Sequence, residues 1–285
     1  MAFRDLLVDV KKINAETSVI HGILNDSRDL NHIPLVFNNL TEAPNHSAAL
    51  NVLTRKRICE TFNVSPGELI DILAWAMNNP CEPEIIDSTQ APVMENTMEK
   101  VNLTKIPIPW HYPEDRGRYQ SASVIIAQYN GIRNMSFHRQ FLRDGNHTVS
   151  RFVPRHLRTM TDLAAEEGEN VDIAVINGAD AVVLLAAAMS FTENLDELTV
   201  AAALHKKLHG SPLKLVELSN GIQVPANAEY AMEARITLER DDEGPYVDIT
   251  GTVDDVRQEN VICYDAIHHR NDPVSYTHLT LPTTS

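Results

Sequence analysis

An α+β fold with a small barrel or sheet at its centre is predicted by three features of the sequence. Helical spacing of apolar residues dominates the first 80 residues, and proline is frequent between about 78 and 116. Beyond residue 120, apolar and polar residues alternate with a period of two. Short strands with few helices favour a barrel or an α+β sheet over a doubly wound fold. The alternation predicts strands at 121–129, 147–153, 171–176, 213–218, 230–238 and 245–251. Two helices interrupt them, one beginning at Asp180 and one at Asn194.

The N-terminal part is predicted to be helical. Apolar residues at helical spacing indicate helices over 3–13 and over about 47–62. A third helix should begin with SPGE (65–68), where Ser65 can cap, proline fits the first turn and Glu68 can close a capping box. We therefore divide the chain into an N-terminal helical α/β domain at 1–95, a linker leading into the barrel at 96–120, a barrel domain at 121–273 and a tail at 274–285.

The tail differs from the rest of the chain. VSYTHLTLPTT (274–284) has no charge and no period, and it resembles the translated read-through of a sequencing adapter. We expect the segment from Val274 onward to be an artefact that takes no part in the fold, with the natural chain interrupted near Pro273. A short disordered natural tail is the alternative.

Composition excludes several classes of function. The chain has 285 residues, 43% hydrophobic and 22% charged, and its net charge of −15 argues against nucleic acid, which needs a basic surface. The longest apolar run, AVVLLAAAM (181–189), suits a buried helix and is too short to span a membrane. Three widely spaced cysteines predict neither a disulfide framework nor a zinc site, and no signal-peptide core is found, so we expect a cytoplasmic protein.

Four polar clusters interrupt the apolar pattern, and each also has a structural explanation. They are NMSFHR (134–139), RFVPRHLR (151–158), NLDE (194–197) and EGPYVD (243–248). Asn134 could be a turn residue and Arg139 a solvated charge, while the second cluster could be a basic surface loop. Glu197 lies three residues after Asn194, a spacing that helix capping explains without any function.

The last cluster raises a question about Asp248. In EGPYVDIT (243–250) this acid stands between two apolar residues of a predicted strand, five positions after Glu243. Because strand side chains alternate between faces, Asp248 should share a face with Thr250. An exposed strand face is the simple interpretation, and a carboxyl group facing an enclosed site is the alternative.

Taken together and in this order, the clusters resemble the UbiD family of prenylated-flavin-dependent decarboxylases. The resemblance runs from about Val101 to HHRND (268–272), and the N-terminal hundred residues match only in pattern. It departs from the family where VDIAVINGAD (171–180) lacks the usual following proline, and where the longer family chains continue into a C-terminal domain that is missing here. The motifs that carry it are N-x-[SG]-x-x-R, P-x-H-[LI]-R, Leu-x-Glu at a helix start, VPANAE (224–229) and EGP[YF]-x-[DE].

The resemblance implies a split-barrel flavin-binding domain that holds prenylated FMN through a divalent metal. Asn134, Glu197 and His156 match the metal ligands, a mainly oxygen-donor set that suits Mn²⁺ or Mg²⁺. The resemblance also brings K⁺ into consideration as a further ion, and the sequence does not decide whether it is required. Residues that match the cofactor-binding strands are Phe137, His138, Arg139, Arg151, Phe152, Val153 and, beside them, His156.

The same resemblance implies that Arg139, Glu243 and Asp248 form the catalytic network. Arg139 would orient a substrate carboxylate and Glu243 would balance it. Asp248, partly desolvated, should have a raised pKa and donate the proton.

The implied activity is non-oxidative decarboxylation of an α,β-unsaturated or aromatic acid. The motifs are closer in character to archaeal members, some of which act on trans-anhydromevalonate phosphate in isoprenoid synthesis. A 4-hydroxybenzoate-type decarboxylase of quinone synthesis is an alternative, as are an FMN-dependent reductase and an inactive fragment. The expected partners are a carboxylic acid substrate, a flavin prenyltransferase that supplies the cofactor and further copies of the chain in a homo-oligomer.

Overall fold

A computed structural model describes residues 1–30, 33–189, 195–248 and 250–277. Its helices are α1 Gly22–Ser27, α2 Arg55–Phe62, α3 Pro66–Asn78, α4 His156–Glu167, α5 Ala181–Ala188 and α6 Glu197–His209. The strands of its first half are β1 Lys11–Ile13, β2 Leu35–Phe37, β3 Ser47–Leu50, β4 Glu84–Ile85, β5 Asn96–Thr97, β6 Tyr119–Gln120, β7 Val124–Tyr129, β8 Ile132–Phe137 and β9 Gln140–Leu142. The remaining strands are β10 His147–Ser150, β11 Val171–Asn177, β12 Lys214–Glu217, β13 Gln223–Pro225, β14 Tyr230–Glu243, β15 Tyr246–Val247, β16 Val253–Asp254, β17 Arg257–His269 and β18 Val274–Tyr276.

A nine-stranded sheet forms the centre of the described part of the molecule. Its strands follow the order β6-β9-β10-β17-β14-β11-β7-β8, and β5 pairs with the end of β17. All of the pairings within this sheet are antiparallel. The runs VIIAQY and VDIAVIN form its middle because β-branched residues pack well on a pleated surface. The fold is therefore of mixed α/β type, with an antiparallel sheet as its main element.

Both faces of this sheet are covered. Val124 and Ile126 point to a large buried cluster that contains α5 and α6, whereas Ile125 and Ala127 point to a second cluster that contains Leu157 of α4. The large cluster also contains residues of the first hundred, including Phe3, Ile58 and Val93. Since one core joins these parts of the chain, the domain boundaries proposed above stay a prediction.

Three smaller sheets accompany the large one among the described residues. One has the order β1-β2-β3-β18, one has the order β13-β12-β4, and β15 pairs with β16 in a short hairpin. The hairpin lies directly after Glu243, at the end of β14. It therefore carries the EGPYVD segment beside the end of the large sheet.

The helix predicted over 3–13 is wrong. Only Phe3–Leu6 forms a single 3-10 turn, Asp9 has a φ of 54°, and Lys11–Ile13 pairs in parallel with β2. A residue in the left-handed conformation ends a helix. The apolar residues that follow helical spacing therefore belong to two elements, the turn before Asp9 and the strand after it. The helix predicted over 47–62 is interrupted in the same way at Asn51, whose φ is 56°, and it begins only at Arg55.

The helix predicted from SPGE is confirmed. Ser65 Oγ accepts a hydrogen bond from Glu68 N, and the Glu68 carboxylate accepts one from Ser65 N. The cap of α6 differs from the predicted one, because Asp196 accepts the bond from Leu198 N and Glu197 is already the first helical residue. Asn194, the predicted start of that helix, lies outside the described residues.

The first residues of the tail take part in the fold, contrary to expectation, whereas their origin as an artefact stays a prediction. Val274–Tyr276 forms β18, which pairs in parallel with β3, and the Tyr276 side chain is 1% exposed against Phe3. Uncharged, partly β-branched residues complete a sheet edge that would otherwise expose the backbone of β3. The predicted strand 245–251 is also shorter than expected, since only Tyr246–Val247 is extended and paired. Residues 278–285 lie outside the described part.

None of the helices in the described residues combines the length and the apolar character that a bilayer crossing requires.

Candidate active site

An arginine and a glutamate form the centre of the candidate site. Arg139 lies between β8 and β9, and Glu243 is the last residue of β14. The guanidinium donates two parallel hydrogen bonds, from Nε to Oε1 at 2.9 Å and from Nη2 to Oε2 at 2.8 Å. The Glu243 side chain is 0% exposed, and the Tyr246 ring lies 4.6 Å from the guanidinium carbon. This two-point contact fixes the direction of the arginine, as predicted for this pair.

A second carboxylate at this arginine was not predicted. Asp254 of β16 accepts a hydrogen bond from Arg139 Nη1 through Oδ2, and the same oxygen accepts one from Arg151 Nη1 at 2.6 Å. Two arginines and two acids therefore balance each other. Burial opposes the charge of Arg139, but Glu243 and then Asp254 outweigh it and hold the pKa of the guanidinium above its ordinary value.

The structure does not place Asp248 as predicted. Its Oδ1 accepts hydrogen bonds from Thr250 N at 2.8 Å, from Thr250 Oγ1 at 2.6 Å and from Thr252 N at 3.1 Å. These bonds, led by that from Thr250, lower the pKa of Asp248, so the predicted raised pKa is wrong. Among the described residues, Arg139 pairs with Glu243 and Asp254 and not with Asp248. Asp248 is therefore the first residue of a turn. Ile249 lies outside the described residues.

Two buried groups hold the EGPYV segment in place. Tyr119 accepts a hydrogen bond on its hydroxyl oxygen from Gly244 N at 3.1 Å, and Asp115 accepts one from Val247 N at 2.7 Å. Burial and then the Glu243 charge raise the pKa of Tyr119, and burial raises that of Asp115. Because both groups bond to the backbone of the segment, the position of Glu243 does not depend on its own side chain alone.

A second polar centre joins β8 to the start of α6. Asn134 Nδ2 donates to Glu197 Oε1 at 2.9 Å, and Met135 N donates to Glu197 Oε2 at 2.9 Å. Both side chains are buried, at 5% and 4% exposed. The structure thus brings together the two residues predicted to share a metal. Burial raises the pKa of Glu197 to about 7, because these two donors do not fully replace the water that the carboxylate has lost.

The hydrogen bonds of Ser136 and His138 determine what Asn134 can still bind. His138 Nδ1 lies 3.3 Å from the Arg151 carbonyl oxygen, and its Nε2 lies 2.9 Å from Ser136 Oγ. Burial lowers the pKa of His138 to about 4, so the ring is neutral. Its single proton then belongs on Nδ1, since a carbonyl can only accept, which leaves His138 Nε2 and Asn134 Oδ1 as two acceptors beside one Ser136 hydroxyl. Ser136 Oγ donates to Asn134 Oδ1 at 3.0 Å, and the second lone pair of this amide oxygen remains available to a cation.

The other predicted cofactor residues are spread around these two centres. Phe137 is half-buried at the end of β8, Phe152 is buried with its ring edge-on to His138, and Val153 is 43% exposed. His156 is the first residue of α4 and, among the described residues, forms no ion pair with Glu197. The structure therefore groups Asn134 with Glu197 and does not bring His156 to them.

The donor chemistry at Asn134 and Glu197 fits a hard divalent ion. An amide oxygen and a carboxylate are ligands that Mn²⁺ and Mg²⁺ accept, and no thiol lies in this centre among the described residues. Within the described part of the chain, no cationic side chain pairs with the buried Glu197 carboxylate, in contrast to Glu243. A bound cation would supply the missing charge.

Sequence reasoning missed Asp254, Ser136 and the pair of Arg133 with Asp196. Arg133 Nε donates to Asp196 Oδ2 at 2.8 Å and so ties β8 to the cap of α6, one residue from each member of the Asn134–Glu197 pair. An N-cap aspartate before ELTV could have been recognised from the sequence. No local signal marks Asp254, since its partners are distant along the chain.

Comparison with known proteins identifies the family of this chain. Residues 84–282 match the family model described as the UbiD 3-octaprenyl-4-hydroxybenzoate carboxy-lyase Rift-related domain. The chain belongs to the UbiD family. Its relatives include an anhydromevalonate phosphate decarboxylase of Methanosarcina mazei, 36% identical over 244 residues, with 85% of this chain and 55% of that protein covered. A protein of the same name from Methanocaldococcus jannaschii is 32% identical, with 81% and 54% covered.

The fold of this UbiD-family chain is also that of a solved relative. The UbiD-class enzyme HmfF from Pelotomaculum thermopropionicum, in an evolved dimeric form in complex with prFMN, superposes with a TM-score of 0.91 at 27% identity. The match covers 97% of this chain and 67% of that one. The chain spans about half the length of the curated relatives that it matches.

Proposed function

We propose that this chain is the flavin-binding, catalytic part of a UbiD-type carboxy-lyase that uses prenylated FMN. The observation that carries the proposal is the arrangement around β8 and its end. Asn134 faces Glu197 at one point, and five residues later Arg139 is held by Glu243 and Asp254. A cation site for a phosphate and an oriented guanidinium for a carboxylate thus lie on one short stretch of chain. The antiparallel nine-stranded sheet around them supports the split-barrel assignment.

The reaction needs few protein groups. In a decarboxylation the bond between the carboxyl carbon and its neighbour breaks, CO₂ leaves, and one proton replaces it on the remaining carbon. Arg139 has the geometry to orient the acid, because Glu243 fixes its plane, and the three hydrogen bonds to Glu243 and Asp254 leave two of its five N–H groups for an anion. Prenylated FMN, when bound, supplies the electron sink that no side chain provides.

The proton has two candidate carriers. Glu243 is already in contact with Arg139, and Asp248 lies on the hairpin five residues later. We retain Asp248 as the proposed proton donor, provided that the turn opens. In the turn it is a carboxylate held by Thr250, so the donor role requires that Thr250 and Thr252 release it and that closure of the site then raises its pKa.

Asn134 and Glu197 would hold the metal, for which we propose Mn²⁺ or Mg²⁺. The oxygen-donor set, the second lone pair of Asn134 Oδ1 and the unpaired charge of Glu197 support this. His156 would join them only through movement of the start of α4. Phe137, His138, Arg151, Phe152 and Val153 would line the flavin. A K⁺ requirement rests on the family resemblance alone.

The substrate class that we propose is a phosphorylated unsaturated acid, possessing the chemistry of trans-anhydromevalonate 5-phosphate, within isoprenoid synthesis. The relatives of that name, at 32% and 36% identity, support it. An aromatic 4-hydroxybenzoate-type acid is the second candidate, favoured by the name of the matching family model. We also propose homo-oligomer formation, supply of the cofactor by a flavin prenyltransferase and a cytoplasmic location, for which three free cysteines are the support.

Co-expression with a flavin prenyltransferase tests the proposal. The purified chain should carry a flavin absorbance, retain a divalent ion and release CO₂ from one member of a panel of phosphorylated and aromatic acids. Arg139→Met should keep the absorbance and lose the CO₂. Oxidation of NAD(P)H that is indifferent to Glu243→Gln would instead identify a reductase, and absence of bound flavin would identify an inactive fragment.

A further inference from the structure

A carboxylate and two imidazoles converge at a place remote from the candidate active site. Asp180 caps the start of α5, and His205 and His209 lie on the last turns of α6. Residues four apart project from the same face of a helix, so both rings reach the aspartate. One ligand atom from each of the three residues lies within 4.8 Å of the others. Two histidines and one carboxylate form a familiar ligand set for a divalent transition metal.

The two oxygens of Asp180 have different roles. Oδ1 accepts the capping hydrogen bond from Val182 N at 3.0 Å. The Asp180 side chain is only 3% exposed, and its Oδ2 atom accepts no hydrogen bond from any of the described residues. A buried carboxylate oxygen without a donor is costly, and a bound cation would compensate for it.

His205 turns a lone pair toward that oxygen, and His209 Nε2 lies 3.3 Å from Oδ2 and 3.4 Å from Oδ1. His205 Nδ1 lies 2.8 Å from the Ser211 carbonyl, which can only accept, so the proton is on Nδ1 and the lone pair is on Nε2. A backbone carbonyl that orients a ring in this way is typical of metal-binding histidines. His209 is held from its other side by the Phe62 ring, whose centroid lies 5.5 Å away.

The distances suit a small tetrahedral ion. Ligands about 2.0–2.1 Å from such an ion are separated from each other by roughly 3.3–3.4 Å. His209 Nε2 lies 3.3 Å from Asp180 Oδ2, and His205 Nε2 lies 3.9 Å from it, which requires a closure of about half an ångström. A cavity of about 270 Å³ opens onto Asp180 and His205 and gives room for a water as fourth ligand.

We propose that Asp180, His205 and His209 form a second divalent-metal site, of the zinc type, that fastens the start of α5 to the end of α6. The site is separate from the proposed cofactor metal, which uses oxygen ligands at the opposite end of α6. It does not depend on the proposed function. The competing explanation is a simple ion pair, because the amino group of Met1 lies 3.8 Å from Asp180 Oδ2.

Zinc titration of the tag-free chain against a chromophoric chelator tests this site. The wild-type chain should bind one equivalent of Zn²⁺ tightly, and His209→Gln and Asp180→Asn should each weaken that binding at least about 100-fold. Asn can still cap α5, so the second variant should fold. Glu197→Gln should keep the equivalent, which separates this site from the cofactor metal. His147→Gln is the matched control, since His147 faces only Asp144 at 2.9 Å, with no third ligand.

Two further measurements distinguish the metal site from the ion pair. Zinc at 100 times its dissociation constant should raise the melting temperature by about 5 °C in the wild type and not in His209→Gln. Co²⁺ in the site should give the strong visible absorption of a tetrahedral ion, which octahedral oxygen ligands do not give. Zinc binding that is unchanged in His209→Gln, or lost equally in His147→Gln, would overturn the proposal. So would a chain that binds no zinc and is merely destabilised by Asp180→Asn.

Discussion

The two polar centres near β8 differ in how their charge is compensated. At Arg139, two arginines face Glu243 and Asp254, so the buried Glu243 and the half-buried Asp254 are each paired with a cation. At Glu197, a carboxylate that is 4% exposed accepts hydrogen bonds from an amide and a backbone N–H and, among the described residues, has no cationic partner. The first centre is complete without a ligand, whereas the second needs a proton or a cation. This difference explains why the first suits the orientation of a substrate anion and the second suits a metal.

The largest effect should follow from removal of the arginine that completes the first centre. Arg139→Met leaves Glu243 buried and unpaired, and it removes the group proposed to bind the substrate carboxylate. We expect kcat/KM for CO₂ release to fall by at least about 10³-fold, or about 4 kcal/mol. Steady-state assays of the cofactor-loaded protein measure this.

Arg139→Lys is the matched control for that experiment. Lysine keeps the positive charge but cannot make the two-point contact with Glu243. Activity should therefore be below that of the wild type although the charge is unchanged. If lysine restored full activity, the fixed plane of the guanidinium would have no role in catalysis.

The second prediction concerns Asp248, the acid that does not pair with Arg139 at the first centre. Asp248→Asn should lower kcat by about 10²–10⁴-fold while flavin stays bound, if the turn opens and this residue donates the proton. Asn can accept the same hydrogen bonds from Thr250 and Thr252, so the turn itself should survive. Asp254→Asn is the comparison, because Asp254 already contacts both arginines. Full activity of Asp248→Asn would mean that this residue only stabilises the turn, and Glu243 would then be the proton carrier.

Asp248 and Asp254 show which contacts of the site a local sequence pattern does not predict. The motif EGPYVD located Glu243 correctly, since a short pattern marks it. Asp248 was predicted to lie in a strand, but Thr250 and Thr252 offer it nearby donors, and such local bonds compete with strand pairing. Asp254 reaches Arg139 across 115 positions of the chain, a contact that no local pattern encodes.

The fold was predictable to a similar degree. The strand at 171–176 was found because it is a short apolar run rich in β-branched residues, as expected for a strand with nearly every side chain buried. The helix over 3–13 failed because a single left-handed residue, Asp9, divides an apolar pattern that has no other mark of a break. Asn134 and Glu197 were paired by the family resemblance, and their contact depends on how α6 packs on β8.

A third prediction tests the uncompensated charge of the second centre. Glu197→Gln keeps the size of the side chain but removes the charge that a cation would balance and one of the two acceptor oxygens. We expect affinity for Mn²⁺ to fall at least about 100-fold, with retention of flavin reduced in parallel. Manganese content by mass spectrometry and flavin absorbance measure the two effects. Glu217→Gln, an exposed carboxylate on β12, should change neither. Unaltered metal content in Glu197→Gln would remove this centre as the metal site.

The smallest effect should come from pH, through His138, whose ring lies beside the second centre and contacts Ser136. Burial lowers the pKa of this ring to about 4, below the ordinary value of 6.5, so the unfolded chain takes up a proton before the folded one does. The corresponding stability is therefore present above pH 6.5 and is lost as pH falls toward 4. Between pH 7 and pH 5 the free energy of unfolding should fall by about 2 kcal/mol from this ring. Urea unfolding of the chain at both pH values should show that loss, and His138→Gln should remove it, while His147→Gln, a surface change, should not. An equal pH slope in His138→Gln and the wild type would mean that folding does not lower the pKa of this ring, so that burial does not keep it neutral at pH 5.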